Sequence, residues 1–452
     1  MPNLLAYTAL IIWPLISFEL FRRLKPVPAI FFTIVGGYLL LPVKVAIDFP
    51  LIPPLDKETI PAIGALIGCI YIKRKNIDFI PKAGLERWLI VVLLISPLIT
   101  VFNNQESVML GDAMIPGLTI HDGLSAIINQ YLILIPFILG LQLIKSYDDQ
   151  LLLFKLLVIA GLCYSLPILF EIRMSPQLHT WIYGFFPHSF GQQIRFGGFR
   201  PVVFMGHGLL VSMFVAITLG AAVLLWKAGI KTLRFQPFVV VIYFFVLLFL
   251  CKSVGAFLLG TFLLFAIKWM SIRVLQRASI FFIAIAIFYP ALSIFDLFPH
   301  QQLVEIAGDF DEDRAQSLDF RFYHENRLLE HAQGKLFFGW GGWGRNRLSD
   351  SVTDGYWIIV LGQYGIIGFA ALFGLAVLAV WRGVTLSRQI NDKKQQHLLV
   401  SHVLIVSIIM VDQLPNHSLY SWLWFLIGAL LGRVNCVIKE KVENRCDTII
   451  GS

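Results

Sequence analysis

Charge is what this chain has least of: Asp, Glu, Lys and Arg make up 14% of its 452 residues, against about 25% in a soluble domain. That scarcity excludes an ordinary water-soluble fold. The five cysteines have neither disulfide-framework nor metal-site spacing. Cys69, Cys163 and Cys251 lie in apolar segments, and Cys436 and Cys446 lie in a basic tail, so they read as packing residues or free thiols. Zinc-ligand sets, RNA-binding motifs and DNA-reading basic helices are missing, so the net charge of +8 does not point to nucleic acid. No positive region precedes the first apolar run, residues 4–21, as it would in a cleaved signal peptide. Nor is there an internal repeat of the kind that transporters carry.

What is present is apolar surface. Hydrophobic residues are 57% of the chain, in continuous runs of helix length rather than the ten-residue alternation of a barrel. Only helices and closed barrels satisfy their backbone in lipid. The expectation is therefore an all-α, polytopic integral membrane protein with roughly 12–13 spans. Beyond 4–21, spans are expected near 28–47, 60–72, 88–102, 121–144, 151–170 and 201–226. Further ones follow near 278–296, 356–381, 398–412 and 419–436. Those at 60–72 and 398–412 are shorter than the roughly twenty residues a crossing helix needs.

Basic residues mark the inner connections. Arg22, Arg23 and Lys25 follow the first span, which puts the N-terminus outside. Lys73, Arg74 and Lys75, then Lys227 and Lys231, then Arg382 and Arg388, fall on the same inner side, as does the C-terminal tail. Residues 236–267 form one long apolar run, interrupted by Lys252. Two short helices turning near 251–255 keep the basic loops on both flanks inside, and place Lys252 near the outer face. Residues 1–296 then form a region of about ten helices, 297–355 a large outer loop, and 356–452 the last helices and an inner tail.

Cations on the outer side run against the topology bias. They are Arg173, Arg195 and Arg200 before the span at 201, and Arg314, Arg321, Arg327, Lys335, Arg345 and Arg347 in the large loop. Residues 316–333 have helical character and stop at Gly334. Leu318, Phe322, Glu325 and Leu329 share one face, which would let this helix rest on the embedded body and aim Arg321 inward. Guanidinium holds phosphate in a permanently charged, bidentate fork. At an outer membrane surface the fitting ligand is a lipid-linked diphosphate. The run Gly339-Trp340-Gly341-Gly342-Trp343-Gly344 has no preceding strand and no βαβ unit, so it is not a dinucleotide fingerprint. It reads as a structural re-entry, with Trp340 and Trp343 also candidates for stacking on sugar.

The order of these features resembles the O-antigen ligase and polysaccharide polymerase family. Arg195-Phe196-Gly197-Gly198 is similar to its Arg-x-x-Gly string, and Ser253-Val254-Gly255 to its Ser-Arg-Gly turn. Arg321 followed by Phe337-Phe338-Gly339-Trp340-Gly341 resembles its Arg-then-Gly-Trp-Gly passage. The family's His-Asn, nine residues, Gly-x-x-Gly hallmark is matched in spacing by Asp354-Gly355, residues 356–364 and Gly365-Ile366-Ile367-Gly368, with different first residues. The likeness spans roughly residues 190–370. It implies a GT-C-like membrane glycosyltransferase of the bacterial inner membrane. Its N-terminus and large helical loop would be periplasmic and its C-terminus cytoplasmic. It would act on undecaprenyl-diphosphate-linked glycans without cofactor or metal, with a flippase and a chain-length regulator as companions besides the lipid bilayer.

On that reading a growing chain on undecaprenyl diphosphate is the donor, and a hydroxyl of the next lipid-linked repeat unit attacks its anomeric carbon. Arg195 and Arg321, with Arg200, are the expected diphosphate clamp. Asp354 is the candidate to orient or deprotonate the hydroxyl, or else a helix N-cap. His324 and His331 are seven residues apart on the loop helix and are candidates for sugar contact, or solvated surface residues. His207 faces a cavity or is a satisfied buried histidine. Missing the family histidine, the chain reads as a repeat-unit polymerase. The alternatives are a ligase that transfers a finished glycan to lipid A core or another acceptor, and a transporter of glycan-lipid.

Overall fold

The computed structural model describes residues 1–49, 53–309, 312–352 and 355–450, with the side chains of 313, 314 and 439–450 left aside. The first elements are α1 (Leu4–Arg23), α2 (Pro26–Leu40) and the two-residue strands β1 (Ala46–Ile47) and β2 (Leu55–Asp56). Next come α3 (Thr59–Ile67), continued by a π turn over Gly68–Ile72, and α4 (Leu85–Phe102). The hairpin β3 (Val108–Leu110) and β4 (Ala113–Ile115) leads to α5 (Ile120–Leu143), α6 (Tyr147–Met174) and the short α7 (Leu178–Tyr183). A second hairpin, β5 (Ile194–Arg195) and β6 (Gly198–Phe199), precedes α8 (Gly208–Lys227), α9 (Pro237–Leu250), α10 (Val254–Trp269) and α11 (Ile272–Ile294). The large loop holds α12 (His300–Gly308) and α13 (Glu312–Gln333). The chain closes with α14 (Tyr356–Ser387), α15 (Lys393–Asp412) and α16 (Ser421–Ile450).

Among the described residues, nine helices are long and apolar enough to cross a membrane, and α2, α3 with its π turn, α9 and α10 are shorter apolar ones. Together they account for every expected span. The protein is an all-α polytopic membrane protein. Its helix starts follow capping chemistry: Thr119 with Asp122 and Ser146 with Asp149 form capping boxes on α5 and α6. Pro26 and Pro237 open α2 and α9, where a missing N–H costs nothing.

Contact between backbones, rather than hydrophobic burial, decides the tightest helix pair, because lipid is as apolar as leucine. A methyl group on Gly140 of α5 would lie 2.6 Å from the Phe425 carbonyl oxygen, and one on Gly428 of α16 would lie 2.1 Å from that of Phe137. Only glycine lets α5 and α16 cross this closely.

Three spans differ in outline from expectation. The one at 28–47 ends at Leu40, and Ala46–Ile47 pair as a strand with Leu55–Asp56 instead. The one at 201–226 begins at Gly208, because Pro201 to His207 is extended. The carboxylate of Glu171 on α6 accepts from the backbone N–H groups of Val202 and Val203 at 2.7 Å each and of Leu178 at 3.0 Å. An apolar string such as Pro-Val-Val-Phe-Met reads as helix by hydropathy, but these amides are satisfied by a side chain instead. The span expected at 398–412 starts at Lys393, capped by the Asp392 side chain, and so gains a full crossing length. The hairpin reading of 236–267 holds, with α9 and α10 meeting at Cys251-Lys252-Ser253.

Candidate functional site

The loops at one end of the bundle build the candidate site. Arg195 and Gly198 face each other across the β5–β6 hairpin, joined by the two residues Phe196 and Gly197. Both have positive φ, 48° and 67°, the signature of a tight type I′ connection. Lys252, at the α9–α10 turn, donates to the carbonyl oxygens of Arg195 and Phe196 at 3.1 Å each. A methyl group on Gly198 would sit 2.2 Å from the Lys252 Nζ. The Arg-x-x-Gly string is thus a turn whose last glycine makes room for the lysine that holds it.

Arg200 follows on the same ribbon. It is 9% exposed, donates through Nη2 to the Lys252 carbonyl at 3.0 Å, and among the described residues has no acceptor for its buried Nε. Burial, and then the neighbouring Arg195, pull its guanidinium down to about 10, so it remains charged at neutral pH.

Arg195 and Arg200 line a cavity of about 980 Å³. Arg321, from α13, lines it too. Its other cationic walls are Lys44 and Lys57, and its acids are Asp56 and Glu58. His188, His207, His417 and Tyr420 add to the polar lining. Lys57 is buried, donates to the Phe204 carbonyl at 2.8 Å and sits 4.7 Å from the Tyr38 ring centroid. Burial pulls it down to about 8, against the pull of Glu58 and Asp56. Burial likewise raises Glu58, opposed by Lys57. His207 caps α8 by accepting the Leu209 N–H on Nδ1 at 3.1 Å, which needs the neutral ring. Burial first, then His188 and Arg200, lower it to about 4.

Volume and charge together suit an anion carrying a bulky polar group. Cations outnumber acids, two guanidinium groups are exposed to the space, and the size is at the upper end of small-molecule sites, about 300–1,000 Å³.

The other sequence candidates are distributed around this cavity. His324 is buried and lines a neighbouring pocket of about 200 Å³, which shares Phe320, Arg321, Val352 and Pro415 with the main one. Its Nδ1 accepts from the Val352 N–H at 3.5 Å. Asp354 lies outside the described residues, as does the side chain of Arg314.

The Gly-Trp run lies elsewhere. The Trp340 N–H donates to the Gly362 carbonyl at 2.8 Å and the Gly341 N–H to that of Gln363 at 3.0 Å, while the Ile366 N–H returns to Leu336 at 2.8 Å. The run therefore pairs with α14 where that helix breaks at Gly365 (φ 65°). The Trp340 indole donates to the His331 carbonyl at 2.6 Å and stacks on the His331 ring at 4.6 Å. Trp343 is 54% exposed and does not line the arginine cavity. His331 is tied to the Arg345 carbonyl at 2.7 Å.

Sequence reading passed over Lys44 and Lys57. Lys57 carried the same signal as the arginines, a cation in a connection that the alternation puts outside; Lys44 did not, because it falls within the span expected at 28–47, whereas α2 ends at Leu40. The chain matches no protein-family model and no curated protein.

Proposed function

We propose that this protein joins lipid-diphosphate-linked saccharide units at the outer face of a bacterial inner membrane, as a polysaccharide polymerase. The observation that supports the reading is the shared cavity lined by Arg195, Arg200 and Arg321. The resemblance of residues 190–370 to O-antigen ligases and polysaccharide polymerases supplies the reaction class.

In this reading the diphosphate of the donor rests among the three guanidinium groups. The acceptor hydroxyl attacks the anomeric carbon, the bond from that carbon to the phosphate oxygen breaks, and the diphosphate leaves with the electron pair. Negative charge grows on the leaving oxygen, and fixed cations in a partly desolvated site stabilise it more than they stabilise the ground state. The acceptor proton passes to water or to a carboxylate at the site, with Asp354 the sequence candidate. No nucleotide is needed, since the donor carries its own leaving group.

The test is glycan length in cells that carry Arg195→Ala or Arg321→Ala at normal protein level. Either change is expected to abolish long polymer and leave single repeat units on the carrier lipid, a loss of at least about 100-fold if each group supplies about 3 kcal/mol. Unchanged long polymer overturns the reading. Long chains stranded on the carrier overturn it in favour of a ligase.

A further inference from the structure

A second charged cavity, of about 700 Å³, lies at the other end of the bundle among the starts of α6, α11 and α15 and the end of α8. Lys227, Arg273, Lys393 and Lys394 line it. Leu151, Leu224, Met270, Ile272 and Leu398 form its apolar wall. Among the described residues none of the four cations forms an ion pair. Asp148 and Asp392 act on Tyr147 at the edge. Asp392 is occupied as a cap, accepting the Lys394 N–H at 2.8 Å.

The three helix starts differ in one respect. α6 and α15 are capped by side chains, whereas Ser271 offers α11 no side-chain hydrogen bond. The first-turn amides of α11 therefore point their positive end of the helix dipole into a cavity already lined by cations. Depth in the membrane is marked by Trp226 and Trp269, whose rings meet edge to face at 6.1 Å, and by Lys268 lying 3.4 Å from the Trp226 ring centroid. Tryptophans of this kind sit at the level of lipid headgroups. A soluble phosphate would gain nothing from the leucine wall; a phospholipid presents phosphate and hydrocarbon together.

We propose that this cavity is a binding site for one anionic phospholipid of the surrounding bilayer. Its phosphate lies between Arg273, the Lys393–Lys394 pair and the open start of α11, and its glycerol and upper acyl chains lie against Leu151, Leu224 and Leu398. Basic pockets between membrane helices take anionic headgroups in this way. The site is at the opposite end from the arginine cavity and stands independently of sugar transfer there.

The experiment uses the full chain in nanodiscs of mixed phosphatidylglycerol and phosphatidylethanolamine, released into native mass spectrometry. The unaltered protein is expected to retain phosphatidylglycerol in preference. The triple variant R273A/K393A/K394A is expected to lose about tenfold of that preference, and R273K/K393R/K394R to keep it. Equal retention by the unaltered protein and the alanine variant overturns the proposal, as does absence of headgroup preference. Complete displacement of the retained lipid by inorganic pyrophosphate overturns it in favour of a soluble anion. Loss of preference in the charge-conserving variant, with a normal melting curve, also counts against it.

Discussion

Lys57 sets how the arginine cavity responds to pH. Its ammonium is held at about 8 by burial, below the ordinary lysine value of 10.5. The cavity therefore has that positive charge below pH 8 and loses it above. Inorganic pyrophosphate should bind the purified protein several-fold less tightly at pH 9 than at pH 7, a change of about 1 kcal/mol, and Lys57→Gln should remove that step. A flat profile in the unaltered protein would dismiss the role. The stability effect has the opposite sign: between about 8 and 10.5 the unfolded chain binds more protons than the folded one, so this group makes folding more favourable as pH rises through that window. The arginines were legible in the sequence because an outer cation breaks the topology bias. Lys57 meets the same criterion but is flanked by Asp56 and Glu58, which give the triplet a net negative charge and mask it. Glu171 was illegible for another reason: its three amide partners come from residues 178, 202 and 203, and nothing local in α6 announces them.

At the scale of the element, α14 carries the clearest test. By hydropathy residues 356–381 form one straight span, yet the helix breaks at Gly365, where φ is 65°. A methyl group there would lie 2.3 Å from the Phe337 carbonyl. Gly365→Ala should cost about 2–4 kcal/mol by combining a left-handed conformation with a backbone clash, read as a lower melting temperature in detergent. A melting curve like that of the unaltered protein would mean that the re-entry at Leu336–Gly341 is not what fixes the break. The spacing of Gly365 and Gly368 was visible in the sequence as a resemblance. That the break receives the Gly-Trp run was not, because the pairing is backbone to backbone and leaves no trace in side-chain pattern. Trp340, read as part of a re-entry and also as a candidate for stacking on sugar, has one ring face covered by His331. The start of α8 at Gly208 was hidden by the apolar string before it.

At the scale of the whole molecule, the alternation of basic connections was enough to lay out every span, including the α9–α10 hairpin, because lipid imposes the same constraint on each crossing. The same alternation predicts orientation. Alkaline phosphatase inserted in residues 297–309 should be active and a fusion within 389–391 inactive; the reverse pattern would turn the arginine cavity toward the cytoplasm and end the glycan reading. What hydropathy cannot supply is which helices touch. The crossing of α5 with α16 depends on Gly140 and Gly428 meeting opposing carbonyls, a fit between residues far apart in the chain.

The walls of the arginine cavity are strung along the chain from Val43 to Tyr420. A polypeptide still leaving the ribosome has threaded Arg195 and Arg321 long before the stretch from Pro415 to Tyr420 arrives to shut the last side. During that interval the guanidinium groups stand in an unfinished bowl. Biosynthesis thus delays the site's completion until almost the entire molecule is inserted, and a prematurely halted product would lack a closed cavity.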